Sequence, residues 1–290
     1  MAKETELKLR FNPEQAEALA LELNRLAEFK QQQLLKNYYF DTPNCDIAAA
    51  KAALRIRETA QGFEQTFKTR GISLAGLQQR GEWNWPLPSK DLALNLLSQV
   101  EQALPQPISA LPLQEVFATH FQRRTWIWQQ GATQVEIALD QGSVQAQEKT
   151  QPLCELELEL LQGDRQALWQ LASVLCQHCA LWLSDVSKAE RGYLLAGLSS
   201  PWQPNSSLSL SALLLDLQRA VELVWDNPVT AQAPIATALA AIAKQESPLV
   251  NALAAWFEPL PADILSNLIL ANSLLSGAYL VYQLATQTDS

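Results

Sequence analysis

Sulfur and imidazole side chains are rare in this sequence, which has four cysteines and two histidines among 290 residues. The cysteines are too few and too scattered for a disulfide scaffold: Cys45, Cys154, Cys176 and Cys179. Cys176 and Cys179 form a C-x-x-C, but no strand pattern leads into it and no second C-x-x-C occurs. We therefore expect two buried helix cysteines rather than a redox or zinc site. His120 and His178 lie outside the charged strand patterns, and we expect structural roles for both.

Basic residues are also scarce, at 21 Lys and Arg against 30 Asp and Glu, which gives a formal net charge of −9. This balance argues against a broad nucleic-acid-binding surface, because such a surface needs excess positive charge. Beyond residue 200 the only basic residues are Arg219 and Lys244, and that part contains no histidine. The charged N-terminus opens directly into a strand pattern rather than a signal peptide, so we expect a cytoplasmic protein.

One long stretch, residues 264–285, carries no charge at all. Its length and composition raise the alternative of a membrane-spanning helix. Polar residues such as Asn267, Asn272 and Gln283 interrupt it, and no cluster of Lys or Arg flanks it. We therefore expect a buried helix of a bundle, and no association with a membrane.

The sequence is rich in strand patterns that alternate charged with apolar residues. Glu4, Glu6 and Lys8 occupy every second position, and successive side chains of a strand point to opposite faces, so all three share one face. About eight segments show such alternation, and the signs of charge are segregated between them. Basic segments carry Arg55/Arg57, Lys68/Arg70 and Arg123, and acidic segments carry Glu4/Glu6, Glu136/Asp140 and Glu155/Glu157/Glu159.

Like charges on one strand face repel one another, so three carboxylates in a row need counter-ions. A closed barrel solves this problem by turning the charged faces into a polar lumen, while helices cover the apolar outer faces. The sequence thus predicts an α+β protein: an eight-stranded antiparallel β-barrel, or tunnel, with flanking helices. A C-terminal all-α helical domain follows the linker-like residues 199–209.

Such a lumen would contain two chemical zones. Clustered Asp and Glu oxygens suit a hard divalent cation, Mg²⁺ or Mn²⁺. Clustered Arg and Lys suit the oxygens of a polyanion, and Arg is favoured for paired contacts to phosphate. Metal-binding acids beside phosphate-binding bases are the groups that phosphoryl transfer requires. Arg70 and Arg124 are expected at the tunnel mouth or in solvent.

The segment Glu4-Thr-Glu6-Leu-Lys8 matches the E-x-E-x-K signature of CYTH domains, the triphosphate tunnel metalloenzymes. Further similar segments follow in the family's order: 54–57, Lys68, Arg80-Gly-Glu82, Arg123, 136–140, 155–159, Ser187-Lys188 and Arg191-Gly-Tyr193. The resemblance covers roughly residues 1–200. It is strongest to bacterial inorganic triphosphatases, whose segments around 137–142 and 154–161 look very similar.

The resemblance implies Mg²⁺- or Mn²⁺-dependent hydrolysis of tripolyphosphate, a small polyanion, to pyrophosphate and phosphate. It implies that metal is held by Glu4, Glu6, Glu157 and Glu159. It implies further acidic lining of the catalytic site by Glu136, Asp140 and Glu155. It also implies phosphate contacts by Lys8, Arg55, Arg57, Lys68, Arg80, Arg123, Lys188 and Arg191.

Several alternatives stay open on these motifs. Relatives with the same tunnel act on thiamine triphosphate or nucleoside triphosphates, including as adenylate cyclases, and a non-catalytic polyphosphate-binding module is a further alternative. Similar proteins often carry a histidine-rich helical domain of the CHAD type after the tunnel. We expect residues 1–200 to form the tunnel domain and 201–290 a helical bundle, degenerate in its basic and histidine residues. Such a bundle would serve stability, or oligomerisation if the protein is not a monomer.

Overall fold

The computed structural model describes residues 2–69, 71–100, 112–205, 207–226 and 228–287. The strands are β1 (Ala2–Arg10), β2 (Glu28–Asp41), β3 (Ala53–Thr59), β4 (Gly62–Lys68), β5 (Ile72–Leu74), β6 (Leu77–Leu87), β7 (Gln114–Gln130), β8 (Thr133–Ala146), β9 (Lys149–Gln162) and β10 (Trp182–Leu183). The helices are α1 (Ala16–Leu26), α2 (Asp46–Ala49), α3 (Leu94–Leu97), α4 (Gln166–Leu175), α5 (Lys188–Leu195), α6 (Leu210–Asp226), α7 (Pro228–Ala243), α8 (Pro248–Ala252) and α9 (Leu268–Gln287). Arg70 lies outside the described residues.

Eight of these strands close into an antiparallel barrel. The hydrogen-bonded order is β1, β9, β8, β7, β2, β3, β4 and β6, and β6 pairs back with β1. The short strands β5 and β10 add to β6 and β1. The barrel confirms the predicted fold class. It has no open edge along these eight strands, because each is paired on both sides.

Strand register decides which faces point inward. Glu6 lies opposite Glu159, and Lys8 lies opposite Glu157, so the charged faces of β1 and β9 are turned to the same side. The intervening residues Leu7 and Leu9 are fully buried in an outer hydrophobic core, which α1, α4 and the C-terminal helices complete. Burial of apolar area on the outside and of charge in the lumen is the arrangement that the alternation predicts.

Helix α5 packs against the inner faces of the long strands. Gly192 is needed there, because a Cβ at this position would lie 2.0 Å from the ring of Phe117 on β7. On the next residue, the Tyr193 hydroxyl donates a hydrogen bond of 2.6 Å to Asp41 at the end of β2. Ser187 caps the helix by accepting from the backbone N–H of Glu190. The cap and the close packing fix where Lys188 enters the lumen and where Arg191 lies behind the lumen wall.

The C-terminal helical region, α6 to α9, shares one hydrophobic core with the outer face of the barrel. Helix α9 is the one described helix long and apolar enough to cross a membrane, by length and composition alone. Its residues Leu274 and Ala278 are fully buried, and Asn272 donates to the carbonyl of Cys176 after α4. These contacts are those of a bundle helix. The division of the chain at residue 200 stays a prediction.

Candidate active site

The barrel encloses a cavity of about 800 Å³, and half of the residues that line it are charged. Most of the predicted site residues line it: Glu4, Lys8, Arg55, Arg57, Lys68, Arg80, Arg123, Glu136, Glu157, Glu159 and Lys188. The other four lie buried behind this lining: Glu6, Asp140, Glu155 and Arg191. The structure therefore brings together all the residues that the sequence predicts, and the role of each one stays a prediction.

One wall is a cluster of three carboxylates, the buried Asp140 and Glu155 and the half-buried Glu157, and one oxygen of each lies within 4.8 Å of the others. The Lys188 ammonium lies 2.9, 2.6 and 2.8 Å from them, respectively. The Arg123 guanidinium pairs twice with Asp140, at 2.7 Å for each bond, and reaches Glu157 at 2.6 Å. Burial opposes charge on Glu157, yet Lys188 and Arg123 hold its pKa well below the ordinary value. This group is chemically able to hold a metal ion, but Lys188 and Arg123 already pair with it and offset two of its three negative charges.

A second cluster joins β1, β4 and β6. Arg80 donates from Nε to Glu4 at 2.9 Å and from a terminal nitrogen to Glu6 at 2.7 Å. Lys68 lies 3.1 Å from Glu4 and 2.8 Å from Glu82. Although burial raises the pKa of Glu82, Lys68 and Arg55 lower it to about 2. Glu82 is thus a charged member of the site. It was not among the predicted site residues, although it shares a strand face with Arg80 and could have been predicted from that alternation.

Lys8 is buried between the two clusters, with 1% of its surface exposed. Its ammonium lies 3.7 Å from Glu6, and in the β1–β9 pairing it lies opposite Glu157. A positive charge at this place is close to carboxylates of both walls. Lys8 therefore links them electrostatically.

Arg57 lines the same cavity and, among the described residues, has no carboxylate oxygen within 4.0 Å. Arg57 donates from Nε to the amide oxygen of Asn37 at 3.0 Å, a neutral partner. Burial, together with the nearby charges of Arg55 and Arg123, lowers the pKa of Arg57 to about 9. Guanidinium groups that repel one another inside a cavity are stabilised by an anion between them, and phosphate oxygens fit the guanidinium fork.

Around Glu159, by contrast, negative charge is in excess. Burial raises the pKa of Glu159 to about 7, and Glu4, Glu6 and Glu136 add to the effect. Among the described residues, no Lys or Arg nitrogen lies within 4.0 Å of the carboxylate oxygens of Glu136 or Glu159. Carboxylates in this situation are stabilised by a cation, and their oxygens suit Mg²⁺ or Mn²⁺.

Replacing Glu159 by glutamine is expected to remove a pH-dependent loss of stability. Its pKa is raised from 4.5 to about 7 on folding, so the folded state keeps a proton that the unfolded state releases. Stability from this group is full at acidic pH and is lost as the pH rises through neutrality. In chelator-treated protein at about pH 8, we expect Glu159→Gln to raise the free energy of unfolding by about 1–2 kcal/mol, discounted for partial exposure.

Urea denaturation from about pH 5 to about pH 8 measures this effect. The matched control is Glu58→Gln, which changes a glutamate on the outward face of β3 that pairs with Lys36. The control is expected to shift stability by the same amount at every pH in this range. The expectation is contradicted if the free energies of unfolding of wild type and Glu159→Gln differ by the same amount at every pH in this range.

Sequence reasoning missed the contribution of α6. Glu222 pairs with Arg10 at 2.5 Å and with Arg191 at 3.2 Å. Arg219 lines the cavity and pairs with Asp185 at 3.0 Å and with Glu190. Arg10 continues the inward face of Glu4, Glu6 and Lys8, and that parity was a usable signal. The acidic and basic residues of α6 carry no such signal, because their partners are far away in sequence.

Comparison with known proteins agrees with this geometry. A family model described as the CYTH domain matches residues 2–193. The inorganic triphosphatase of Haemophilus influenzae is 36% identical over 197 residues, which are 67% of this chain and 55% of that protein. The chain thus spans about half the length of the curated relative it matches.

A solved structure from Hippeastrum has the same fold, with a TM-score of 0.50 at 17% identity. It is described as a candidate adenylyl cyclase with a dominant triphosphatase activity, and the match covers 68% of this chain and 98% of that one. The motifs, the closed barrel and the family match lead to one conclusion: this chain belongs to the CYTH domain family.

Proposed function

We propose that this protein hydrolyses inorganic triphosphate (tripolyphosphate) to pyrophosphate and phosphate inside the tunnel, with Mg²⁺ or Mn²⁺ as cofactor. The proposal rests on one observation: the same cavity contains carboxylates without a basic partner and a guanidinium without an acidic partner. Glu136 and Glu159 have no basic partner within 4.0 Å among the described residues, whereas Arg57 lies near the positive charges of Arg55 and Arg123 with only a neutral hydrogen-bond partner. A metal complex of a linear polyphosphate supplies both a cation and an anion.

The relative from Haemophilus influenzae supports the substrate, because it is named an inorganic triphosphatase and is 36% identical over the aligned part. The family match over residues 2–193 includes the eight strands of the barrel that encloses the charged cavity. We extend the proposal to a cytoplasmic protein that acts on a small polyanion rather than on nucleic acid or a membrane. Its mass in solution distinguishes a monomer from a homo-oligomer formed through the C-terminal helices.

In this proposal the metal ligands are Glu4, Glu6, Glu157 and Glu159. Their oxygen donors fit a hard divalent cation, and Glu159 gains most because its neighbours are acidic. Bound there, the ion supplies charge neutralisation for the phosphate oxygens. Glu136 completes the acidic lining, and Asp140 and Glu155, which are buried behind it, keep the basic groups in place.

The basic side chains bind the phosphate chain and hold it in line for attack by water. These are Lys8, Arg55, Arg57, Lys68, Arg80, Arg123, Lys188 and Arg191. Because several already pair with tunnel carboxylates, the substrate must exchange some of those pairs for phosphate contacts. This exchange makes binding sensitive to the charge of every member of the network.

Phosphate release from a panel of substrates tests the proposal. We expect release from tripolyphosphate that requires Mg²⁺ or Mn²⁺ and stops with chelator, at a kcat/KM at least about tenfold above that for ATP or thiamine triphosphate. A preference for ATP or thiamine triphosphate would identify that compound as the substrate, and the proposed reaction type, hydrolysis of a triphosphate, would still hold. No release from any of them, with binding retained, would favour a non-catalytic polyphosphate-binding module.

A further inference from the structure

Helix α6 contributes a buried carboxylate to the end of the barrel where β1 finishes. Glu222 is 9% exposed, and its oxygens contact Arg10, Arg191 and Ser184. The same helix places the ring of Trp225 4.2 Å from the Arg10 guanidinium. Burial raises the pKa of Glu222, but Arg191 and Arg10 lower it to about 2, so the group is a carboxylate. A helix outside the tunnel motifs thus supplies a fixed negative charge.

The contacts of Glu222 converge on the segment that leads into α5. Ser184 donates its hydroxyl proton to Glu222, and Arg191 donates to the same carboxylate and to the Ser184 hydroxyl oxygen at 3.3 Å. Glu222 therefore holds residues 184 and 191 together. Between them lie the cap residue Ser187 and Lys188, whose ammonium lies among the tunnel carboxylates.

Arg191 connects this anchor to the site. Its Nε donates to Glu155 at 3.2 Å, and Glu155 also accepts from Lys188 at 2.6 Å. A continuous row of buried charges thus runs from α6 through α5 to β9. Buried ion pairs of this kind fix geometry, because each member loses its partner if another moves.

We infer that Glu222 is a positioning residue for the tunnel: it holds the segment 184–191 so that Lys188 and Arg191 are placed to bind the triphosphate. The inference rests on the proposed function. It assigns to the C-terminal helical region an indirect part in substrate binding, through Lys188 and Arg191, beyond the stability or oligomerisation expected from the sequence.

The sign of the effect separates positioning from a simple charge effect. Removing a negative charge near the tunnel makes its field more positive, and by electrostatics alone a polyanion would then bind more tightly. If Glu222 positions α5, the same change weakens binding, because Lys188 and Arg191 lose their fixed places. A purely structural role would lower the melting temperature and leave KM unchanged.

The experiment compares steady-state hydrolysis of tripolyphosphate, with Mg²⁺ or Mn²⁺, by wild type and by Glu222→Gln and Glu222→Asp. We expect Glu222→Gln to raise KM about tenfold, with a smaller change in kcat, and Glu222→Asp to lie between it and wild type. The matched control is Gln218→Ala, one turn earlier on α6, where the side-chain amide donates to the carbonyl of Ala75. This control is expected to keep the wild-type KM.

Ser184→Ala tests the same anchor with a smaller change, should the Glu222 variants fail to fold. It is expected to raise KM about two- to threefold through loss of one hydroxyl. If the wild type hydrolyses tripolyphosphate and Glu222→Gln has an unchanged or lowered KM, the inference is overturned while the proposed function stands. If only Ser184→Ala folds, an unchanged or lowered KM in that variant has the same consequence. A wild type that neither binds nor hydrolyses tripolyphosphate overturns the proposed function, and this inference with it.

Discussion

Replacing Lys188 by methionine is expected to lower the free energy of unfolding by about 3–5 kcal/mol, because two buried carboxylates and one half-buried carboxylate then lose their shared partner. The ammonium lies within 2.9 Å of Asp140, Glu155 and Glu157, and the side chain is 8% exposed. Arg123 and Arg191 remain near these acids but cannot occupy the place between all three. The residual repulsion among them is what destabilises the variant.

A divalent cation is expected to restore part of this loss. The three carboxylate oxygens lie within 4.8 Å of one another, a spacing that one ion can span. At about a hundredfold excess over its Kd, Mn²⁺ would add about 2–3 kcal/mol to the stability of the variant. Thermal and urea denaturation with chelator and with Mn²⁺ measure both effects.

The control for this experiment is Lys90→Met. Lys90 pairs with Glu115 at 3.3 Å, but its side chain is 42% exposed. We expect a loss below about 1 kcal/mol, because solvent screens exposed pairs, and the same response to metal as in wild type, because the tunnel acids are unchanged. Equal losses in the Lys188 and Lys90 variants would contradict the view that Lys188 neutralises the buried cluster.

The double variant Glu4→Gln/Glu6→Gln is expected to lower kcat/KM for tripolyphosphate by about 10³-fold, which corresponds to about 4 kcal/mol of transition-state stabilisation. Both side chains keep their shape, and the amide oxygens can still accept from Arg80. What disappears is the negative charge that we assign to metal binding. The same charges pair with Arg80, Lys68 and Lys8, so we also expect a loss of stability, and activity is compared at a temperature at which the variant remains folded.

Phosphate release as a function of Mg²⁺ and Mn²⁺ concentration tests this expectation. Glu58→Gln serves as the control, since Glu58 lies on the outward face of β3 and pairs with Lys36 at 3.0 Å. The control is expected to retain wild-type activity and metal dependence. Full activity of the double variant at wild-type metal concentrations would refute the assignment of Glu4 and Glu6.

Much of the tunnel could be predicted from the sequence because a strand has a period of two. One strand face carries Glu4, Glu6 and Lys8, and another carries Glu155, Glu157 and Glu159. Such charged faces need counter-ions, which other strands supply only if the charged faces point inward. The same parity extends to Arg10 and to Glu82, which the predicted site omitted. The alternation that predicts them is present in the sequence, but the predicted site did not extend it to these two residues.

The sequence by itself determined the charged faces, the sign carried by each strand and the family to which they belong. Only the tertiary structure decided which acids and bases pair, and that α6 reaches the tunnel through Glu222 and Arg219. Glu222 and Arg10 are 212 residues apart, and a helix period carries no information about a partner so distant. Electrostatic pairing depends on distance in space, which the packing of α6 and α5 on the barrel sets.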